Sequence, residues 1–314
     1  MPVTLILALG AGTLSAVAVY AILFGSLLAL PLFYFASLPL YLAGLGLGSK
    51  GVLLAVLAAM VTVGVIGSVQ TALPYALAYA VPALIVCQRA LRAQPMADGT
   101  ARYTSGGELI AGLTAGGAAL LTAVAMMTLM DSGSEPLADM VANFLRAAFE
   151  AMSSEIDPAA REQVVQSLAP LFPGMAVASW VFMHVINAAT GQSLLQRSGR
   201  NLRPAMSYLN ITLPDWCSWL LVIPGAAALL LPGDLSYVGR NVVIVALVPF
   251  FVLGLAVVHG FARRSGRGTT LLVAFYILLV VFGPTAFLVA GAGVLEQWIG
   301  LRKRLPSDND QENV

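Results

Sequence analysis

Residues 180–197 read WVFMHVINAATGQSLLQR, and the reading of this stretch decides the fold. It is apolar enough for lipid, yet it holds Asn187 and His184, one of only two histidines in the chain. If a helix runs from Phe172 to Leu195, His184 lies within a turn of its middle, where a polar group is costly to leave against lipid. Asn187 follows three residues later and Gly191 four after that, so the three share one helical stripe that must face other helices. The stretch therefore predicts a bundle of spanning helices around it.

Two uses of that stripe stay open. The imidazole and carboxamide can act as interhelical glue, bonding to kinked backbone or a neighbouring side chain for about 0.6 kcal/mol per bond. Alternatively they form a polar patch that binds a small molecule or relays a proton, since histidine titrates near neutrality. In the second case the ligand-binding residues are His184, Asn187 and Gly191, with Tyr34 and Tyr41 from the second apolar run.

The rest of the chain supplies the bundle. Of 314 residues, 59% are hydrophobic and 10% charged, against about 25% charged in soluble proteins, which makes this a polytopic, all-α membrane protein. A spanning helix needs roughly 20 apolar residues, and such runs occur near residues 4–24, 26–47, 51–69, 71–90, 107–130, 172–195, 214–231 and 238–262. The last run, 268–300, is long for one span and just suffices for two short ones broken at Gly283-Pro284, where proline removes a helix hydrogen bond. Eight to ten membrane helices follow, in a single integral membrane domain over 1–314. The first 24 residues hold no Lys or Arg and read as a first span, not a cleaved leader.

Charge placement orients the chain. Lys50, then Arg89, Arg92 and Arg102, then Arg197, Arg200 and Arg203, then Arg263, Arg264 and Arg267 follow every second run. Positively charged loops stay cytoplasmic, so the amino terminus and the polar tail 301–314 are expected there. The intervening stretch 131–171 carries seven acids and two arginines. Within it, Leu137, Met140, Val141, Phe144, Leu145, Ala148 and Phe149 recur at helical spacing, and Asp157-Pro158 reads as the cap of a second helix. This extracytoplasmic amphipathic insertion is either an interfacial hairpin or a lid.

Small residues offer close packing. Ala8, Gly12 and Ala16 repeat every four positions in the first run, as do Gly51, Ala55 and Ala59 in the third; such faces serve helix packing or the docking of a partner. Prolines at 31, 39, 74, 82, 224, 249 and 284 interrupt helices, and "PLFYFASLPLYLAGLGLG" reads as a distorted, partly unwound segment. His259 and Glu296 sit near helix ends, where snorkelling or capping accounts for them, and Glu108 meets a helix amino terminus. Asp215 reads as the cap of the seventh run, with Trp216 and Trp219 at the interface.

No catalytic template is present: no HExxH, no GxSxG with partners, no phosphate-binding glycine loop and no metal-ligand set. Cys87 and Cys217 stand in or beside apolar runs as packing residues. The expectation is a non-enzymatic protein with no catalytic residues, no metal and no cofactor. Its surroundings are the lipid bilayer and a membrane partner subunit, with no nucleic acid.

The stretches "PLYLAGLGLGSKGVLLAVLAA", "LPDWCSWLLVI", "FVLGLAVVHGFARR" and "GVLEQWIGLRKR" resemble the YybS-like family of bacterial membrane proteins, the domain of unknown function 2232. That family in turn resembles, in fold, the substrate-binding components of energy-coupling-factor transporters. This resemblance implies a partner-docking face at Ala8, Gly12 and Ala16, although the chain has more spans than their usual six. Two functions remain: a small-molecule-binding, transporter-type component without its own ATPase, or a structural or assembly protein of the bacterial envelope with no substrate.

Overall fold

The computed structural model describes residues 2–24, 29–97, 99–131, 133, 135–152, 157–204 and 206–304. Helices account for nearly all of it. Seven are long and apolar enough to cross a membrane: Val3–Leu23, Ala29–Leu47, Ser49–Ile66, Val69–Ala90, Gly106–Leu129, Phe172–Arg197 and Gly233–Arg264. Three shorter apolar helices, Cys217–Leu230, Gly268–Val281 and Thr285–Ile299, join them. The run 268–300 is thus two helices, parted around Gly283-Pro284 as the missing proline amide predicts. Of the tail 301–314, residues 305–314 lie outside the described residues.

The chain divides into two compact units: residues 1–109 with 182–207, and residues 110–181 with 208–314. In the first, α1 (Pro2–Tyr20) packs along α4 (Ser49–Ile66). Ala8, Ala16, Ala55 and Ala59 are fully buried, and a Cβ on Gly12 would collide with the Ala55 carbonyl. The Ala8–Gly12–Ala16 face is thereby filled by α4 within the unit. Such close approach replaces the hydrophobic effect that lipid cannot supply between helices.

The second apolar run is broken. Helix α2 (Ala29–Tyr34) stops, residues 35–37 turn, and α3 (Leu38–Leu47) resumes with Pro39 at its first turn. Next come α5 (Val69–Tyr75), a five-residue π turn at Ala76–Ala80, and α6 (Val81–Ala90). A short antiparallel ribbon follows, β1 (Ala93–Pro95) against β2 (Ala101–Tyr103), which the periodicity of so short a stretch does not announce. Ser105 and Glu108 then form a reciprocal capping box, Ser105 N–H donating to Glu108 Oε2 at 2.7 Å and Glu108 N–H to Ser105 Oγ at 3.1 Å. They open α7 (Gly106–Leu129).

The second unit centres on α12 (Gly233–Arg264), which packs against α11 (Cys217–Leu230) and α14 (Thr285–Ile299). Gly254 faces the Val289 carbonyl and Gly293 the Phe250 carbonyl so closely that a Cβ on either would collide. The acidic stretch forms α8 (Leu137–Met152) and α9 (Pro158–Leu168). Asp157 caps α9, accepting from Ala160 N–H at 3.2 Å with Pro158 at the first position. Leu145 and Ala142 of α8 pack on Val165 and Ala169, while Leu137 joins Tyr237, Val238 and Val242 of α12. Asp215 differs from its expected role: α11 has Trp216 at its N-cap and no side-chain cap, because Asp215 contributes only its carbonyl, to Ser218 N–H. Glu296 is no helix cap either. It is buried and paired with Arg302, whose guanidinium also donates to the Leu209 and Ile211 carbonyls, fastening the last described turn to the segment 208–213.

Candidate functional site

Proline explains where the buried polar groups lie. The π turn ends two residues before Pro82, which has no N–H to offer the carbonyl four residues back, at Ala78. A carbonyl left so inside a membrane helix must find another donor. His184, fully buried near the middle of α10 (Phe172–Arg197), supplies it: Nε2 lies 2.8 Å from Ala78 O. The carbonyl can only accept, so Nε2 carries the proton; in the neutral ring Nδ1 then accepts from Tyr41 O–H at 2.9 Å. Tyr41, on α3, is also fully buried, and the two rings meet edge to face at 5.9 Å.

Asn187 serves the neighbouring break. Its Nδ2 donates to Tyr34 O at 2.9 Å, where α2 ends, and to Met183 O at 2.7 Å. Gly191 lies beside Tyr41, a Cβ there falling 3.3 Å from the tyrosine Cβ. All five residues expected around His184 therefore converge, Tyr34 through its carbonyl. One atom of the group is left over: Asn187 Oδ1 is buried with no partner among the described residues.

The second unit repeats the device with residues that the sequence reading passed over. Pro173 leaves Ala169 O without a helical donor, and Tyr237 O–H reaches it at 2.8 Å. Asn241 is fully buried and inserts into the joint between α9 and α10. Its Oδ1 accepts from Gly174 N–H at 2.7 Å, and its Nδ2 donates to Pro170 O at 3.1 Å and Tyr237 O at 2.9 Å. Pro232 frees Ala228 O in the same manner, and Ser236 Oγ donates to it at 2.7 Å. A faint signal was available: Asn241 is a carboxamide four residues after a tyrosine, just inside the start of the apolar run 238–262.

His259 also meets a tyrosine. Its Nδ1 lies 2.8 Å from Leu255 O and its Nε2 3.4 Å from Tyr276 Oη, half-buried near the carboxyl end of α12. Tyr276 belongs to a shallow apolar groove of about 570 Å³ along α13 (Gly268–Val281), lined also by Leu272, Ile277 and Val280. No residue expected at the His184 site lines it. Among the described residues no three His, Cys, Asp or Glu side chains gather as metal ligands.

The family model described as a predicted membrane protein, DUF2232, matches residues 13–296. No curated protein and no solved structure matches the chain.

Proposed function

We propose, since the chain belongs to the DUF2232 family of predicted membrane proteins, that it is a non-enzymatic assembly component of the bacterial cytoplasmic membrane. In this reading it holds a partner subunit and moves no substrate through the His184 region. One observation carries it: both ring nitrogens of His184 are engaged by the protein itself, Nδ1 with Tyr41 and Nε2 with Ala78. Groups bonded in this way fasten helices and have little left to offer a ligand. The alternating basic loops favour an amino terminus in the cytoplasm.

The test is the state of the chain when membranes are dissolved in mild detergent. A discrete complex with one defined partner subunit at fixed stoichiometry supports the assembly reading; the chain running alone after gentle crosslinking sinks it. A reporter fused at the carboxyl terminus checks the orientation.

Asn187 Oδ1 supports a second reading, a small-molecule-binding, transporter-type component that relies on another subunit for energy. A buried carbonyl oxygen without a donor, beside the helix break at Tyr34, is a place where a ligand donor would be welcome. A metabolite that raises the melting temperature of the purified protein, and no longer does so in Asn187→Leu, would replace the first reading by this one.

A further inference from the structure

The first unit carries seven Lys and Arg against two acids, Asp98 and Glu108. Six of the seven cations are exposed. Arg203 is the exception at 5% exposure, six residues beyond the end of α10. Its main chain is held, the carbonyl accepting from Asn201 Nδ2 at 2.8 Å and from Gln192 Nε2 at 3.5 Å. Its guanidinium donates through Nη2 to Thr104 O at 3.0 Å and stands 5.7 Å from the centre of the Tyr103 ring.

Those contacts are too few for a buried guanidinium. It keeps its charge in proteins and has five N–H donors, and buried charges are ordinarily paired. Arg203 takes part in no ion pair among the described residues, and Nε and Nη1 are buried without any acceptor. Glu108, the described acid of this unit, is occupied by Arg102 at 3.1 Å and by Ser105 N–H. Burial draws the Arg203 pKa below its ordinary value, with the neighbouring Tyr103 acting the other way, so the site favours whatever restores a negative partner. Beside it the Oε1 of buried Gln192 also has no partner among the described residues. Leu202 and Pro204 on either side are exposed, so the guanidinium lies one residue beneath the surface.

We propose that Arg203 is the receptor for a phosphate-type oxyanion at the cationic end of the first unit. Several acceptor oxygens on one tetrahedral group match donors that point along two edges of the guanidinium. The exposed cations of the same unit would draw the anion in. Its source is either the phosphodiester of an anionic phospholipid, which sits at the depth where a spanning helix ends, or a free phosphate.

The experiment uses the full chain, purified in a non-ionic detergent and stripped of lipid, and follows its melting temperature. Short-chain phosphatidylglycerol, short-chain phosphatidylcholine and inorganic phosphate are titrated in turn at constant ionic strength. Stabilisation by phosphatidylglycerol alone assigns a lipid; stabilisation by inorganic phosphate as well assigns a free anion. Arg203→Gln is expected to weaken the apparent affinity by about tenfold or more, whereas Arg200→Gln, at an exposed neighbour, leaves most of it. If Arg203→Gln does not fold, Arg203→Lys keeps the charge but loses most of the donors, and is expected to bind with intermediate affinity. No response of the wild-type chain to either anionic probe, an equal response to phosphatidylcholine, or an undiminished response in the folded Arg203 variants would overturn the proposal.

Discussion

The polar core of the first unit and that of the second answer the same difficulty with different chemistry. In each, a proline removes an amide and a side chain from another part of the unit meets the abandoned carbonyl: His184 to Ala78 in one, Tyr237 to Ala169 in the other. The second core closes its account, for Asn241 uses its carbonyl oxygen once and its amide twice. In the first, an imidazole links Tyr41 to the π turn, and Asn187 keeps one oxygen unpaired. Saturation is what pure fastening requires. The His184 cluster, with its spare acceptor, stops short of that saturation, while the Asn241 cluster reaches it.

The most forceful way to break the comparison is to remove the imidazole. His184→Ala takes the imidazole from the half-buried Ala78 carbonyl and from the fully buried Tyr41 hydroxyl, and a buried polar group that loses its bond costs about 1 to 3 kcal/mol. A loss of about 3 kcal/mol in a denaturant titration of the detergent-solubilised chain is expected. A variant as stable as wild type would mean that Ala78 finds its donor elsewhere and that His184 fastens nothing.

The two carboxamides sharpen the contrast next. Asn241→Leu breaks three bonds, including those that join Gly174 and Pro170, while Asn187→Leu breaks two and also removes an oxygen that has no partner. The first is expected to cost more by about 1 kcal/mol. Equal losses would show that the unpaired oxygen is as well served as any other, which would erase the difference between the cores.

What the sequence reveals follows the same line. Span positions were legible because length and apolarity alone define them, down to the break near Pro284. The convergence on His184 was legible because an imidazole at that depth must be met by something, and a doubly proline-broken second run was an obvious place for it. Its pairing with Ala78 was not, since a freed carbonyl has no side-chain letter; only the register of Pro82 marks it. Asn241 escaped for a different reason: it sits near the start of the longest helix, where a polar residue passes for an interfacial one. The division into two units was hidden because both are built from the same kind of apolar span, and the boundaries after Leu109 and Val181 fall inside spans and not between them. Glu296 was given a local role, and its pairing with Arg302 depends on a turn at Gly300, whose positive φ lets the chain double back.

The role of Pro82 itself can be isolated. Pro82→Ala restores an N–H four residues beyond Ala78, so the carbonyl regains a donor from its own helix. In that background His184→Ala is expected to cost about 1 kcal/mol less than in wild type. Strict additivity of the two substitutions would disconnect the proline from the histidine and leave the π turn without its cause.

The smallest effect is expected at the surface of the second unit, where Arg146 and Glu162 link α8 to α9 through two bonds of 2.8 Å. The guanidinium, followed by the Gln166 side chain, holds the Glu162 carboxyl down at about 2 from an ordinary value of 4.5. A depressed carboxylate contributes its stability fully above its unfolded pKa and loses it as pH falls through the folded one. The helical pair should therefore be intact above about pH 5 and loosen progressively towards pH 2. Both side chains are about two-fifths exposed, so water and salt screen the pair and the change stays local. Hydrogen exchange at pH 5 and pH 3, corrected for the intrinsic rate, should show faster opening of α8 and α9 at the lower pH and no change around Asn241. In Glu162→Gln that pH difference should vanish. A difference that persists in the variant would assign the acid response to another carboxylate of the stretch. Exchange that quickens around Asn241 as well would mean that the buried joint depends on the surface pair, and that the second core is less self-sufficient than its saturated hydrogen bonds imply.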